Sequence, residues 1–224
     1  MSNAKARALR SAIVSTLLVA LALFLSAGTI YYWQAWVYLG ILVITVIPLM
    51  RLIINDPVLV ESRTKGGPAK EQRSIQKIII LVVTLPGAAL FILPGLDHRF
   101  GWSAMPLWLM IVGDAMVAVS MWMTYRVFKE NSFGSATVEV VKDQKVIMTG
   151  PYATVRNPMY SSASVYMVGM AFALGSYWTL IPAVLTILGL VWRLFDEEKF
   201  LKQNLAGYTE YCTKVRWHLL PGVF

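Results

Sequence analysis

Ser11 to Trp33 reads SAIVSTLLVALALFLSAGTIYYW and carries no charged side chain. A helix needs ~20 consecutive apolar residues to cross the hydrocarbon layer of a bilayer, so this run limits the chain to a membrane protein or an exported one. Lys5, Arg7 and Arg10 before it, and Ser26-Ala27-Gly28 near its end, have the layout of a secretory leader. The apolar stretch is longer than the ~7–15 residues of a leader's core, and more apolar segments follow. An uncleaved membrane anchor is the better reading.

Hydrophobic residues make up 57% of the 224 and charged residues 14%, against roughly 45–50% and about 25% in soluble domains. The excess is clustered into six segments: Ser11–Trp33, Ala35–Ile54, Ile75–Leu96, Ala104–Phe128, Met159–Gly175 and Tyr177–Leu194. The sequence therefore predicts an all-α integral membrane protein of about six transmembrane helices. The last two are short, with a turn of barely a residue, and read as a tight hairpin. The length fits one structural domain. Within it, residues 1–128 form a four-segment membrane region, and 129–224 hold a loop, the hairpin and a polar tail.

Orientation follows from the basic loops, which face the cytoplasm. Lys5, Arg7 and Arg10 precede segment one, and Arg63, Lys65, Lys70, Arg73 and Lys77 outnumber Asp56, Glu61 and Glu71 after segment two. Arg126, Lys129, Lys142, Lys145 and Arg156 lie around the loop after segment four. Both termini are expected inside. Tyr31, Tyr32, Trp33 and Trp36 at one turn, and Tyr177 and Trp178 at another, match the aromatic belts of membrane interfaces. The net charge of +8 fits lysine and arginine held beside anionic lipid. No arginine-rich, aromatic-interleaved tract supports a nucleic-acid partner. Cys212 is the sole cysteine, so there is no intramolecular disulfide and no CxxC metal pair. His98 and His218 are isolated, and no metal site is expected.

The tail begins as an amphipathic helix in which Leu194, Leu201, Leu205 and Tyr208 recur at spacings of 7, 4 and 3, with Gly207 a candidate stop. Any polar cofactor site must use this tail and the loop before segment five. Gly150-Pro151 is a turn signal. Pro158 suits the first turn of a helix, where its missing N–H goes unused. The free N–H groups of that start, with Arg156, suit an anion such as a carboxylate. Tyr152 and Tyr160 add rings and hydroxyls. The alternative is that Arg156 and both tyrosines only anchor the helix at the interface. Arg193 and Glu197 stand at i and i+4 and share a helix face, either as a solvated ion pair or as groups pointing into a cavity. Asp114 lies inside segment four and should face the bundle interior, because a charge in lipid costs at least ~2.5 kcal/mol. Ser161, Ser162, Ala163, Gly169, Ala171, Ala173 and Gly175 supply small surfaces for close helix packing.

Two of these stretches are recognisable. Gln144-Lys-Val-Ile-Met-Thr-Gly-Pro-Tyr152 followed by Arg156-Asn-Pro-Met-Tyr160 resembles the signature of the isoprenylcysteine carboxyl methyltransferase family, GPY, three residues, then RHPxY. Arg193, Glu197-Glu198, Gly207-Tyr208, Tyr211 and Val215-Arg216 before Pro221 match that family's tail. Phospholipid N-methyltransferases and small-thiol S-methyltransferases share the same core. The resemblance covers roughly Asn131 to Phe224.

The resemblance implies an S-adenosylmethionine-dependent membrane methyltransferase that needs no metal and acts on a lipophilic or lipidated acceptor. Gln144, Lys145, Val146, Ile147, Tyr152, Asn157, Pro158, Met159 and Tyr160 fall on cofactor-contacting positions. Glu197, with Glu198 as the alternative, falls on the cofactor-binding glutamate, and Arg193 on the arginine that holds the substrate carboxylate. The chain departs at Asn157, where the family has histidine. An amide donates and accepts hydrogen bonds but does not titrate near neutral pH. A carboxylate acceptor is already ionised and needs no base, so Asn157 favours O-methylation of an acid over methylation of an amine or thiol. A non-catalytic transporter or scaffold that keeps the fold is the rival of another class.

Overall fold

The computed structural model describes residues 3–60, 74–132 and 146–224 of the chain. Among these, every regular element is helical: α1 (Asn3–Ala27), α2 (Trp33–Asn55), α3 (Ser74–Phe100), α4 (Leu107–Glu130), α5 (Pro158–Ala173), α6 (Leu180–Asn204) and α7 (Tyr208–Lys214), with a 3-10 turn at Gly150–Ala153. The helices run up and down. One end of the bundle carries both termini; the other carries the turns after α1, α3 and α5.

Four helices, α1 to α4, are long and apolar enough to cross a membrane. The expected hairpin exists as α5 and α6, but neither helix meets that standard. The 16 residues of α5 rise about 24 Å at ~1.5 Å per residue, short of the ~30 Å hydrocarbon layer. The turn between α5 and α6 is longer than hydropathy suggested, because residues 174–179 form a hydrogen-bonded knot.

Glycines set several boundaries that apolar runs do not reveal. The uncharged run to Trp33 covers α1, a turn and the start of α2. Gly28 breaks it at φ +66°, its N–H reaching the Phe24 carbonyl at 3.0 Å. Conversely, α3 continues through Asp97–Arg99, expected as loop, and stops at Gly101, φ +65°. The amphipathic stretch after Leu194 is the continuation of α6. It ends at Asn204, and Gly207 (φ +83°) begins the separate α7.

The most extensive packing joins α4 to α5. A Cβ on Gly113 would lie 2.2 Å from the Ala173 nitrogen and 2.7 Å from the Gly169 carbonyl, so the two backbones touch, as small-residue interfaces in membranes allow. Hydroxyls fasten the same seam: Ser162 donates to the Ser120 carbonyl at 2.6 Å, and the Thr124 and Ser162 hydroxyls are 2.6 Å apart. Asp114 is half-buried, and its Oδ1 is buried without a hydrogen-bond partner.

Tyr31, Trp33 and Trp36 are exposed, as a belt requires, but Tyr32 is fully buried. Its hydroxyl donates to the Leu174 carbonyl at 2.6 Å, which turns one expected belt residue into a brace between α1–α2 and α5. Nearby, Asp97 accepts from the Ser103 amide (2.8 Å), the Ser103 hydroxyl (2.6 Å) and the Ser176 hydroxyl (2.5 Å). That carboxylate ties the α3–α4 turn to the α5–α6 turn.

Candidate active site

The strip from Val146 to Tyr160 lies between the end of α4 and the tail. Gly150, at φ +58°, permits the turn, and its neighbour Thr149 donates from its hydroxyl to Glu130. The Tyr152 hydroxyl accepts from Asn131 Nδ2 at 2.9 Å, and the Tyr152 carbonyl accepts from the Tyr211 hydroxyl at 2.7 Å. The Tyr152 ring packs against Leu205, Tyr208, Tyr211 and Val215 together with Val146 and Leu201. Leu201 is one helical turn beyond Glu197, so the strip and α6 share one neighbourhood.

At the start of α5 the strip is clasped by the C-terminal tail. The amides of Arg156 and Asn157 donate to the carbonyls of Trp217 (2.9 Å) and His218 (3.0 Å), and Ser161 Oγ donates to the Leu219 carbonyl at 2.6 Å. Pro158 occupies the first helical position, where no N–H is missed.

The two adjacent glutamates of α6 have different surroundings. Glu198 is 3% exposed, and its Oε1 receives Arg156 Nε at 3.0 Å, Asn157 Nδ2 at 2.7 Å and His218 Nδ1 at 2.9 Å. Arg156 completes its hydrogen bonding on the Val215 carbonyl (3.2 Å) and against the His218 ring, with Nη2 2.6 Å from Nε2. If Nε2 accepts from Arg156 and Nδ1–H donates to Glu198, one tautomer satisfies the cluster. Arg156 is thus engaged inside the protein. Its geometry is that of a buried brace for the tail, neither the interfacial anchor nor the open anion site considered from sequence.

Glu197 is half-buried and accepts one side-chain hydrogen bond, from the Tyr160 hydroxyl at 2.6 Å. Burial pushes its carboxyl above the ordinary 4.5. The Tyr160 hydrogen bond and the charge of Arg193 pull it down, while Glu198 and Asp196 raise it further. Arg193 acts electrostatically on both Tyr160 and Glu197. Asp196 accepts from Gln76 Nε2 of α3. The Tyr208 hydroxyl beside the glutamates is buried without a hydrogen-bond partner, and burial raises its pKa, with Glu198, Cys212 and Glu197 adding to the effect.

Of the expected cofactor residues, the structure gathers Val146, Tyr152, Asn157, Tyr160, Glu197 and Glu198 around the start of α5 and the middle of α6, with Pro158 as the first residue of α5. Ile147 lies on the same strip. Met159, with Tyr152, instead packs toward the end of α2 and α4. Gln144 and Lys145 fall outside the described residues, as do Arg63, Lys65, Lys70, Arg73, Lys142, Glu61 and Glu71. Sequence reasoning gave no site role to three participants. His218, read as isolated, holds Glu198. Asn131 positions Tyr152, and Tyr208 carries the unsatisfied hydroxyl. Among the described residues no group of three His, Cys, Asp or Glu side chains is placed to hold a metal ion.

The family model described as phospholipid methyltransferase matches residues 108–207, somewhat less than half of the chain. It represents a membrane methyltransferase family related to the isoprenylcysteine methyltransferases. The match takes in nearly all of α4, which the sequence motifs had left outside the core, together with the strip, α5 and all of α6. It stops before Tyr208. It supports a membrane methyltransferase, and a methyltransferase of this family implies S-adenosylmethionine as the methyl donor. No curated protein matches the chain significantly.

Proposed function

We propose that the protein is an integral membrane methyltransferase that uses S-adenosylmethionine to methylate the carboxylate of a lipophilic acceptor, with its site at the end of the bundle that carries both termini and facing the cytoplasm. In this reading α5 and α6 complete the membrane domain as a hairpin beside the four long helices. The observation that carries it is the meeting of two separated sequence motifs: Tyr160 donates to Glu197 and Asn157 to Glu198, at 2.6 and 2.7 Å.

The residues fit the donor molecule on chemical grounds. Glu197, an acid with one hydroxyl partner among its side-chain contacts, suits an ammonium or ribose hydroxyls, and the unpartnered Tyr208 hydroxyl offers a further polar contact. Tyr152 contributes an aromatic wall. Gln144 and Lys145 belong to the same proposed set. When bound, S-adenosylmethionine supplies a methyl group on a positively charged sulfur, already electrophilic. The protein's task is then alignment and exclusion of water. Arg193 holds the acceptor carboxylate, Glu197 and Tyr160 fix the donor's polar end, and the buried Glu198–Arg156–His218 cluster keeps Glu197 in place by holding its neighbour.

The phospholipid methyltransferase match favours a second reading, N-methylation of a lipid amine; small-thiol S-methylation stays with it as a variant of the same chemistry. Both need a proton removed from the acceptor, and Asn157 does not supply a base.

The test is calorimetric titration of S-adenosylmethionine into the detergent-solubilised protein, followed by transfer of labelled methyl into a membrane lipid extract and identification of the product. Glu197→Ala is expected to weaken binding at least tenfold, the loss of a charged hydrogen bond of ~1.5–3 kcal/mol. No heat from the intact protein would refute the enzyme reading and leave a transporter or scaffold. A labelled lipid amine would refute the carboxylate acceptor.

A further inference from the structure

A cavity of about 350 Å³ lies beside α5 on a different face from the site above. Its walls are Met123 and Val127 of α4, Pro158 and Val165 of α5, and Leu219 and Leu220 of the tail. Pro158, Ser161 and Val165 line it at i, i+3 and i+7, one face of a helix. Tyr160 is two residues from Pro158, turned by about 200° at ~100° per residue, and points to Glu197 instead. The cavity is therefore separated from the Tyr160–Glu197 pair by the body of α5.

Its volume is at the lower end of the ~300–1,000 Å³ typical of small-ligand sites, and its lining is almost wholly apolar. The Ser161 hydroxyl is already committed to the Leu219 carbonyl. Charge enters at Arg126, whose guanidinium lies 5.4 Å from the centroid of the Trp122 ring. Trp122 is 58% exposed on the outer face of α4. Lys129, exposed one turn further on, adds a second positive charge at this end, whereas Glu130 accepts from Thr149. An apolar hollow, a cationic rim and an exposed tryptophan together match one chemistry: a hydrocarbon chain attached to an anionic headgroup.

We propose that this cavity is a binding site for an anionic glycerophospholipid, with one acyl chain between α4, α5 and the tail and the phosphate at Arg126. The inference does not depend on methyl transfer. The tail is then both the clasp on Arg156 and one wall of the lipid site.

The experiment uses the full chain in detergent with two photoactivatable lipids that carry the same diazirine acyl chain, one phosphatidylglycerol and one phosphatidylcholine. Phosphatidylglycerol is expected to label peptides containing Val165 or Leu219 about fivefold more than phosphatidylcholine, the factor equivalent to ~1 kcal/mol per basic residue near anionic lipid. Arg126→Ala should abolish that preference while leaving chain labelling. Val165→Trp should remove labelling by both lipids. If Val165→Trp fails to fold, Leu220→Trp at the partly exposed rim makes the same test. Equal labelling of the unmodified protein by the two lipids would overturn the anionic headgroup. Undiminished labelling of a folded cavity-filled variant would overturn the site. A dead methyltransferase that still labels as expected would leave this inference standing.

Discussion

Each end of the bundle holds a buried carboxylate, and the two are satisfied in different ways. Asp97 accepts from one amide and two serine hydroxyls, all neutral and all from the turns it ties. Glu198 accepts from a guanidinium, an amide side chain and an imidazole, brought from the strip and the tail across 42, 41 and 20 residues of chain. Neutral hydroxyls rotate to suit whichever partner is present. A guanidinium keeps its charge whatever faces it. The first arrangement is therefore a tolerant latch, while the second binds three segments to one fixed charge. The tolerant knot closes the end away from the termini; the charged one sits one residue from the proposed donor-binding Glu197.

That contrast breaks most visibly at Glu198. Glu198→Gln keeps the shape but leaves Arg156, 9% exposed, without its counter-charge. Removing one partner of a buried ion pair typically destabilises by ~3–5 kcal/mol. A large fall in melting temperature in detergent is expected, with proteolysis appearing first in the tail after Val215. Asp97→Asn is the matched change at the other end. The two serine hydroxyls, which share Oδ2, must then both reverse to accept from the new amide nitrogen, and with no charge left unpaired the loss should stay near ~0.5–1.5 kcal/mol for each hydrogen bond altered. Equal melting temperatures for the two variants would remove the distinction.

Glu197 sharpens the comparison through pH. Burial raises its folded pKa above 4.5, so between 4.5 and that higher value the folded protein holds more proton than the unfolded chain. Stability must then fall as pH rises through this interval and level off above it. Each unit of elevation corresponds to ~1.4 kcal/mol. Glu197→Gln is expected to flatten that slope and to raise the melting temperature at neutral pH, at the expense of donor binding. In the unmodified protein, affinity for a positively charged donor should increase over the same interval, as the carboxylate ionises. A pH-independent melting difference between the two proteins would show that Glu197 is not a buried titrating acid.

Much of this was legible because membrane insertion and helix geometry leave strong local signals. The four long helices follow from long apolar runs, and close packing along α5 from small residues such as Gly169 and Ala173. The Gly150–Tyr160 and Arg193–Glu198 motifs are short and contiguous, so their residues were nameable before their contacts were. What the sequence concealed is long-range. Nothing local marks Tyr32 as inward-facing beside the exposed Tyr31, because both fit an interfacial belt until α5 supplies the Leu174 carbonyl. Asp97 and Ser176, 79 residues apart, carry no pattern that pairs them. His218 looked isolated since its partners Arg156 and Glu198 lie 62 and 20 residues away. Arg156 resembled an anion site because its own internal anion, Glu198, is remote in sequence.

The smallest expected effect is at Asn157, and it bears on the acceptor. Its Nδ2 donates to Glu198 at 2.7 Å, and an imidazole N–H at the same position has the chemistry to replace it, so Asn157→His should retain the ~1.5–3 kcal/mol carried by a hydrogen bond to a charged group. Melting temperature and donor affinity should be nearly unchanged. Carboxylate methylation should be as well, since an ionised acid needs no base. An amine or thiol acceptor behaves differently, because an imidazole with a pKa near ~6.5 removes protons at neutral pH and an amide does not. A large gain in methylation of a lipid amine or a thiol by Asn157→His, rising through the imidazole's titration range, would move the assignment away from carboxylate chemistry. An unchanged acceptor profile would identify position 157 as part of the Glu198 brace, set by hydrogen-bond donation rather than by acid–base chemistry.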